Sequence, residues 1–298
     1  MSAHATVKRP PVSGIVTCFN EEQNIGACIE SLSWCDEIVV LDSFSTDRTP
    51  AIAKAHPKVR FFQRPYFGAA SAKNYAMDQA RHSWMFILDA DERCTSELRD
   101  EIEALLAAGP EAGAYVVKRR VWFLGGLIRH SGWQHDRVVR LIRRGQARHS
   151  NSRVHPKVIT TQPAPVLKTR LEHFMVEDFH EYLRRTLKYG YWGAAQAWRN
   201  GRRSSFLEVM VRTAWRFLRT YVVRFGFLDG ARGLVFCACQ AFATYSKWSI
   251  LWSWQINAAR GIEPELPEFD EDEATWRLDH GASQSGSSPV RAASSHDR

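Results

Sequence analysis

Between residue 12 and about residue 120, four short apolar runs each end in a polar turn and then give way to helical periodicity. The runs cover residues 13–19, 37–43, 59–62 and 84–89. They are too short for buried helices and rich in Val, Ile and Phe, so they read as strands buried on both faces. Strand–helix units repeated in this way build a mainly parallel sheet. The expected class is therefore α/β, and 298 residues suffice for one large core with an appendage. Open α/β sheets bind ligands beyond the carboxyl ends of their strands, so the residues after each run are the ones to inspect.

The fourth run, Trp84-Met85-Phe86-Ile87-Leu88, leads straight into Asp89, Asp91 and Glu92. Buried carboxylates are costly unless paired or bound to metal. A cluster at a strand end predicts a hard divalent ion, Mg²⁺ or Mn²⁺, held by one or two carboxylates and completed by substrate phosphates. Such an ion would neutralise a diphosphate leaving group. Asp-x-Asp also occurs in ordinary surface turns, and its place after three earlier strand–helix units is what marks it here. The earlier strand ends, residues 17–22 and 42–47, offer hydroxyls and carboxylates that could bond a ribose or base, or cap helices. Asp47, just before Thr49, reads as a cap. Asp42, directly on its strand end, reads as a ligand.

The net charge of +8 suits nucleic acid, an anionic membrane or a phosphate-rich substrate, and the placement of the charges must decide. Projected at about 100° per residue, residues 206–225 bring Arg212, Arg216 and Arg219 together, opposite Leu207, Met210, Ala214, Phe217, Leu218 and Tyr221. This basic amphipathic helix either covers the core with its charges in water or lies on a membrane with its arginines at the headgroups. Gln240, Lys247 and Gln255 interrupt the apolar run 234–256, which reads as an in-plane or re-entrant hairpin and not a span. Phe179, Leu183, Leu187 and Tyr191 predict a helix packed on the domain through a four-residue spacing. Residues 115–157, with broken apolar runs and many arginines, are expected to complete the acceptor side of the pocket. No nucleic-acid recognition motif appears, so no nucleic-acid partner is expected. Six cysteines without a C-x-x-C pair point to reduced thiols, with neither zinc nor disulfides.

The expected organisation is a disordered start (1–11), a catalytic domain (12–200), an amphipathic helical extension that associates with membrane (201–262) and a disordered tail (263–298). Residues 1–11 hold no apolar run of a secretory signal, which predicts a site facing the cytoplasm.

Four ordered motifs, TCFNEEQN (17–24), VVLDSFSTDRT (39–49), GAASAKNYA (68–76) and ILDADE (87–92), resemble the inverting family 2 glycosyltransferases of GT-A fold. GWQHDRVVRLIRR (132–144), VHPKV (154–158), LEHFMVEDFHEYL (171–183) and GFLDGARG (226–233) are similar to the subgroup that builds the lipopolysaccharide core. The resemblance runs over residues 13–254. It implies a Rossmann-like nucleotide-sugar-binding sheet in which Thr17, Phe19, Glu21 and Asp42 hold the donor's base and ribose. Lys73 would meet the diphosphate. Asp89 would lie near the ribose and donor sugar, and Asp91 would coordinate the metal. His173 would be a further metal ligand or phosphate contact, or else a structural histidine.

Inverting transfer needs a carboxylate to take the acceptor's proton. The resemblance points to Asp136, which precedes a segment that in the family crosses below the donor sugar; the competing reading is an ion pair with Arg137 or Arg140. Where the subgroup reads VHE, this chain has Val154-His155-Pro156, which removes an alternative base. The implied activity is transfer from a nucleotide diphosphate sugar to a glycolipid or polysaccharide-precursor acceptor, by an enzyme peripheral on the cytoplasmic face of an anionic membrane. A nucleotidyltransferase is the rival enzyme, but it would need a glycine-rich basic loop where Asn20-Glu21-Glu22 would repel a triphosphate.

Overall fold

The computed structural model describes residues 9–150, 158–176 and 178–266. Residues 1–8 and 267–298, most of the two ends expected to be disordered, lie outside that set, as does Pro156. Arg9, also expected to be disordered, is instead anchored by ion pairs to Asp36 at 2.7 Å and Glu103 at 2.9 Å.

The first half follows the sequence pattern closely: β1 (Val12–Cys18), α1 (Ile25–Ser31), β2 (Glu37–Asp42), α2 (Thr49–Lys54), β3 (Val59–Gln63), α3 (Ala69–Gln79) and β4 (Trp84–Asp89). The second half adds β5 (Glu92–Arg93), α4 (Ser96–Ala107), β6 (Ala114–Phe123), β7 (Gly126–Ile128), β8 (Arg137–Arg143), β9 (Ala147–His149), β10 (Val158–Thr160) and β11 (Val166–Val176). The helices α5 (Phe179–Arg199), α6 (Phe206–Leu218) and α7 (Gly230–Ala258) complete the fold.

The main sheet runs β3-β2-β1-β4-β8-β6-β11-β5, with β7 on β6. β1 to β4 are parallel to one another, but β8 is antiparallel to both β4 and β6. The sheet is thus mixed, a correction to the mainly parallel expectation. The chain reverses in the two-residue turn Leu124-Gly125, both at positive φ, so β7 and the β8 that follows it run the same way and antiparallel to β6, whereas a parallel crossover needs a dozen residues or more. All six residues of β2 and the first five of β4 are buried, as central strands covered on both faces require. The parallel register sets Thr17 beside Asp89 and Cys18 beside Asp42, which gathers three strand ends at one edge. All six cysteines are free and buried.

The helical region departs from its sequence pattern at three points. The buried face of α5 is Thr186, Gly190, Gly193, Ala194 and Ala195, while Leu187 from the expected apolar stripe is 46% exposed. The small face wins because it lets α7 approach: a Cβ on Gly190 would stand 3.0 Å from Cβ of Ser246. α7 is one continuous helix packed against both α5 and α6, so the expected re-entrant hairpin does not form. In α6 the arginine side turns inward. Arg216 Nη2 donates to Gln240 Oε1 at 3.2 Å, and the Arg212 guanidinium sits 4.2 Å from the Trp248 ring centroid. The expectation that these two arginines face lipid headgroups is therefore corrected. Among the described residues no helix is long and apolar enough to cross a membrane.

Candidate active site

Asp89 closes β4 between two cations. Lys73 Nζ, from α3, lies 2.6 Å from Oδ1, and Arg140 Nη2, from β8, lies 2.5 Å from Oδ2. The same Arg140 nitrogen reaches Glu92 Oε1 at 2.6 Å, and Arg119 of β6 reaches that oxygen at 3.0 Å. Arg119 also pairs with Asp136 Oδ2 at 2.5 Å. Lys73, Asp89, Arg140, Glu92, Arg119 and Asp136 thus form one continuous chain of alternating charge. Glu92 and Arg140 are buried, and such groups persist in an interior only when paired and hydrogen-bonded. Burial alone would push the Asp89 carboxyl up, but Arg140 and Lys73 outweigh it and hold it well below the usual range.

Asp91 sits two residues on, in a different environment. β11 runs antiparallel to β5 with His173 opposite Glu92, and Phe174 N–H donates to the Asp91 carbonyl at 2.8 Å. This register brings His173 Nε2 to 3.4 Å from Asp91 Oδ2. Burial raises Asp91, and the hydrogen bond and charge of His173 more than offset it, so its carboxyl stays below its ordinary value. Glu21, after β1, is pushed up to about 7 by burial and then by the charge of Asp91, although Asn24 Nδ2 donates to it at 3.0 Å.

These residues fit a divalent cation. Asp91 Oδ2 and His173 Nε2, 3.4 Å apart, offer one carboxylate and one imidazole nitrogen to such an ion, and the charge of Asp91 helps to raise Glu21. Asp89 is already engaged by Lys73 and Arg140. Among the described residues no three metal-capable side chains converge, so the protein's ligands would be Asp91 and His173, with other positions left to donor phosphates.

The remaining sequence candidates fall around this centre. Thr17 is part-buried next to Asp89 in the sheet, and Phe19 follows β1. Asp42 is fully buried: its Oδ2 accepts from Ser45 N–H at 2.9 Å and Gln63 Nε2 at 3.0 Å. These bonds shape the turn after β2, where Phe44 has φ 60° and is 52% exposed. Asp136 pairs with Arg119, and not with Arg137 or Arg140. Asn74 of the AKN motif holds β9 through His149, accepting its N–H at 3.0 Å and donating to its carbonyl at 2.9 Å. The His149 ring is kept neutral, down to about 4, by burial and by Lys73 and Arg140.

Three residues of this network, Glu92, Arg119 and Arg140, were not singled out as site residues from sequence. Glu92 was visible beside the Asp-x-Asp. An apolar β8 interrupted by Arg140 was the other available signal, because a buried arginine requires a carboxylate partner.

The sequence pattern of glycosyl transferase family 2 matches residues 13–206, which covers β1 to β11, the charged network and α5. The chain belongs to this family. The α/β fold with a mixed sheet is accordingly of GT-A type, and the protein is a glycosyltransferase, as the motif resemblance implied. This family 2 glycosyltransferase is 32% identical to the lipopolysaccharide core biosynthesis glycosyltransferase LpsC of Rhizobium meliloti, over 82% of this chain and 95% of that one. It is 27% identical to an uncharacterized glycosyltransferase of Rickettsia conorii, over 86% of this chain and 95% of the relative. Among solved structures, it resembles glucosyl-3-phosphoglycerate synthase from Mycobacterium tuberculosis, in complex with Mn²⁺, UDP and glucosyl-3-phosphoglycerate. That match has 26% identity and a TM-score of 0.31, and covers 38% of this chain and 44% of that one. S. aureus TarS 1–349 matches at 14% identity and a TM-score of 0.41, over 88% and 94% of the two chains.

Proposed function

We propose that this glycosyltransferase moves a sugar, with inversion, from a nucleotide diphosphate donor to a glycolipid acceptor of the lipopolysaccharide-core class, at the cytoplasmic face of a membrane. The observation that carries this reading is the division of labour in the Asp89-Ala90-Asp91 triplet: Asp89 is tied to Lys73 and Arg140, while Asp91 faces His173. The likeness to LpsC along nearly the whole length of that protein supports the acceptor class.

In this mechanism Thr17, Phe19 and Glu21 line the nucleoside side of the donor, with Asp42 shaping the turn beside them. Lys73 exchanges part of its contact with Asp89 for the diphosphate, and Asp91 with His173 would hold the cation. The chemistry that Mg²⁺ or Mn²⁺ would supply there is positive charge to offset that of the diphosphate leaving group. Asp136 takes the proton of the acceptor hydroxyl, whose oxygen forms the new bond to the anomeric carbon as the bond to the diphosphate breaks on the opposite face. Arg119 fixes the carboxylate's direction and connects it through Glu92 and Arg140 to Asp89.

The test is product analysis. Purified enzyme with Mn²⁺ is given UDP-, GDP- and ADP-sugars and a truncated lipopolysaccharide-core acceptor, and the new linkage is read by NMR. The expected product carries the anomeric configuration opposite to the donor's. A retained configuration, or no transfer from any of these donors, overturns the proposal.

A further inference from the structure

α6 is turned inside out relative to an ordinary surface helix. Its inward residues are Val209 and the arginine side described above, whereas Leu207, Val211, Trp215 and Leu218 are between 47% and 70% exposed. Their spacing of four, four and three aligns them as one stripe. Val222 and Phe225, also exposed, prolong it past the end of the helix. A continuous apolar stripe of this kind marks an interaction surface, since soluble chains seldom leave one uncovered.

The surroundings of the stripe are cationic. Residues 201–233 contain seven arginines and two acids. Both acids are already engaged: Glu208 by Arg202 at 2.8 Å and Arg212 at 2.7 Å, and Asp229 by the backbone N–H groups of Arg129 at 3.1 Å and His130 at 2.9 Å. Arg203, Arg219 and Arg232 are exposed. A second copy docked through this face would set two cationic segments against each other, because a two-fold interface pairs a patch with itself. An anionic bilayer complements both the apolar stripe and its basic flanks.

We propose that the outer face of α6 and the turn after it seat in the interfacial layer of an anionic lipid bilayer, in plane and without spanning it. This surface is joined to the acceptor side of the site. Ser131 N–H donates to the Arg224 carbonyl at 2.9 Å, and the Arg224 side chain fills the space over Gly132. Asp229 holds residues 129 and 130, and the ring of Trp133 packs 5.7 Å from that of Phe236 in α7. Asp136 lies three residues beyond Trp133. The seat therefore orients the segment carrying the proposed base toward the bilayer, a consequence that rests on the lipid-anchored acceptor proposed above; the binding itself does not.

The experiment is flotation of the full chain with vesicles of phosphatidylcholine alone, or of phosphatidylcholine and phosphatidylglycerol in equal parts. Wild type is expected to float with the anionic vesicles and to stay behind with the neutral ones. The double variant Val211→Glu/Trp215→Glu should weaken anionic binding by about tenfold or more, and Arg203→Gln/Arg219→Gln/Arg232→Gln should weaken it and reduce its salt dependence. Circular dichroism establishes that each variant is folded. Absence of wild-type flotation, or equal binding by a folded Val211→Glu/Trp215→Glu, overturns the inference. So does a dimer that this variant dissociates, since the face would then belong to a second copy. Metal-dependent hydrolysis of a water-soluble donor should survive in Val211→Glu/Trp215→Glu. Its absence from a wild type that floats would instead count against the proposed transfer chemistry.

Discussion

One guanidinium nitrogen of Arg140 stands 2.5 Å from Asp89 and 2.6 Å from Glu92, so a single buried cation clamps both ends of the Asp89-Ala90-Asp91-Glu92 turn. Arg140→Gln leaves the buried Glu92 and the partly exposed Asp89 short of their partner, and breaking a buried pair from one side costs about 3–5 kcal/mol. Urea denaturation should show that loss. Arg140→Lys should recover little of it, because an ammonium on a thinner stem lacks the fixed fork of donors. Near-wild-type stability of Arg140→Gln would show that the clamp is dispensable.

Asp136 can be separated from its ion-pair role by kinetics. As general base, Asp136→Asn lowers kcat by about 100- to 10,000-fold while the donor's KM stays close to wild type. As a mere partner of Arg119, the same change would cost stability and leave kcat nearly intact. Steady-state rates beside a thermal melt distinguish the two.

Glu21 gives a pH signature of definite sign. Its carboxyl is raised from 4.5 to about 7 in the folded protein, so the folded state holds this proton longer than the unfolded chain does. The contribution is fully present below about 4.5 and is lost as pH rises through about 7. Glu21→Gln stays neutral throughout. The variant should therefore gain on wild type by about 2 kcal/mol, after allowance for solvent screening, between about pH 5 and pH 8. Paired denaturation midpoints across that range measure it; a difference that does not change with pH contradicts the burial described for Glu21.

The GFLDGARG motif also has a physical reading. A Cβ on Gly233 would fall 2.0 Å from the Gly226 carbonyl oxygen, and one on Gly226 would fall 2.7 Å from both Thr220 O and Cys237 Sγ. Gly233→Ala should cost more than about 2 kcal/mol, since backbone cannot yield as a flexible side chain can. Thermal melts of Gly233→Ala and Gly145→Ala give the comparison. Gly145 has nothing within 4 Å of its added Cβ, so its variant bears only the strain of its φ of +79°.

The first four strands and the acid-tipped turn were legible because a buried strand must be apolar throughout and must stop where its polarity changes. Trp84 to Asp89 shows both properties. The pairing of β8 between β4 and β6 was not legible, since local pattern does not encode sheet order. Arg140 was missed for the same reason: its partners Asp89 and Glu92 come from sequence-distant residues. In α5 the leucine spacing misled because close helix approach at Gly190 and Gly193 outweighed apolar area. In α6 the projection grouped Arg212 and Arg216 correctly but not Arg219, which lies past the end of the helix and is exposed, and it could not tell which side faces α7; Gln240 and Trp248 decide that.

The central claim is that Asp91, and not Asp89, is the metal-side acid of the triplet. Mn²⁺-dependent turnover of the best nucleotide sugar, compared between wild type and Asp91→Asn, tests it most directly. A folded Asp91→Asn is predicted to lose about 100-fold or more of that turnover, and raising Mn²⁺ should recover only part of it. Full activity in Asp91→Asn at the same Mn²⁺ concentration would contradict the account.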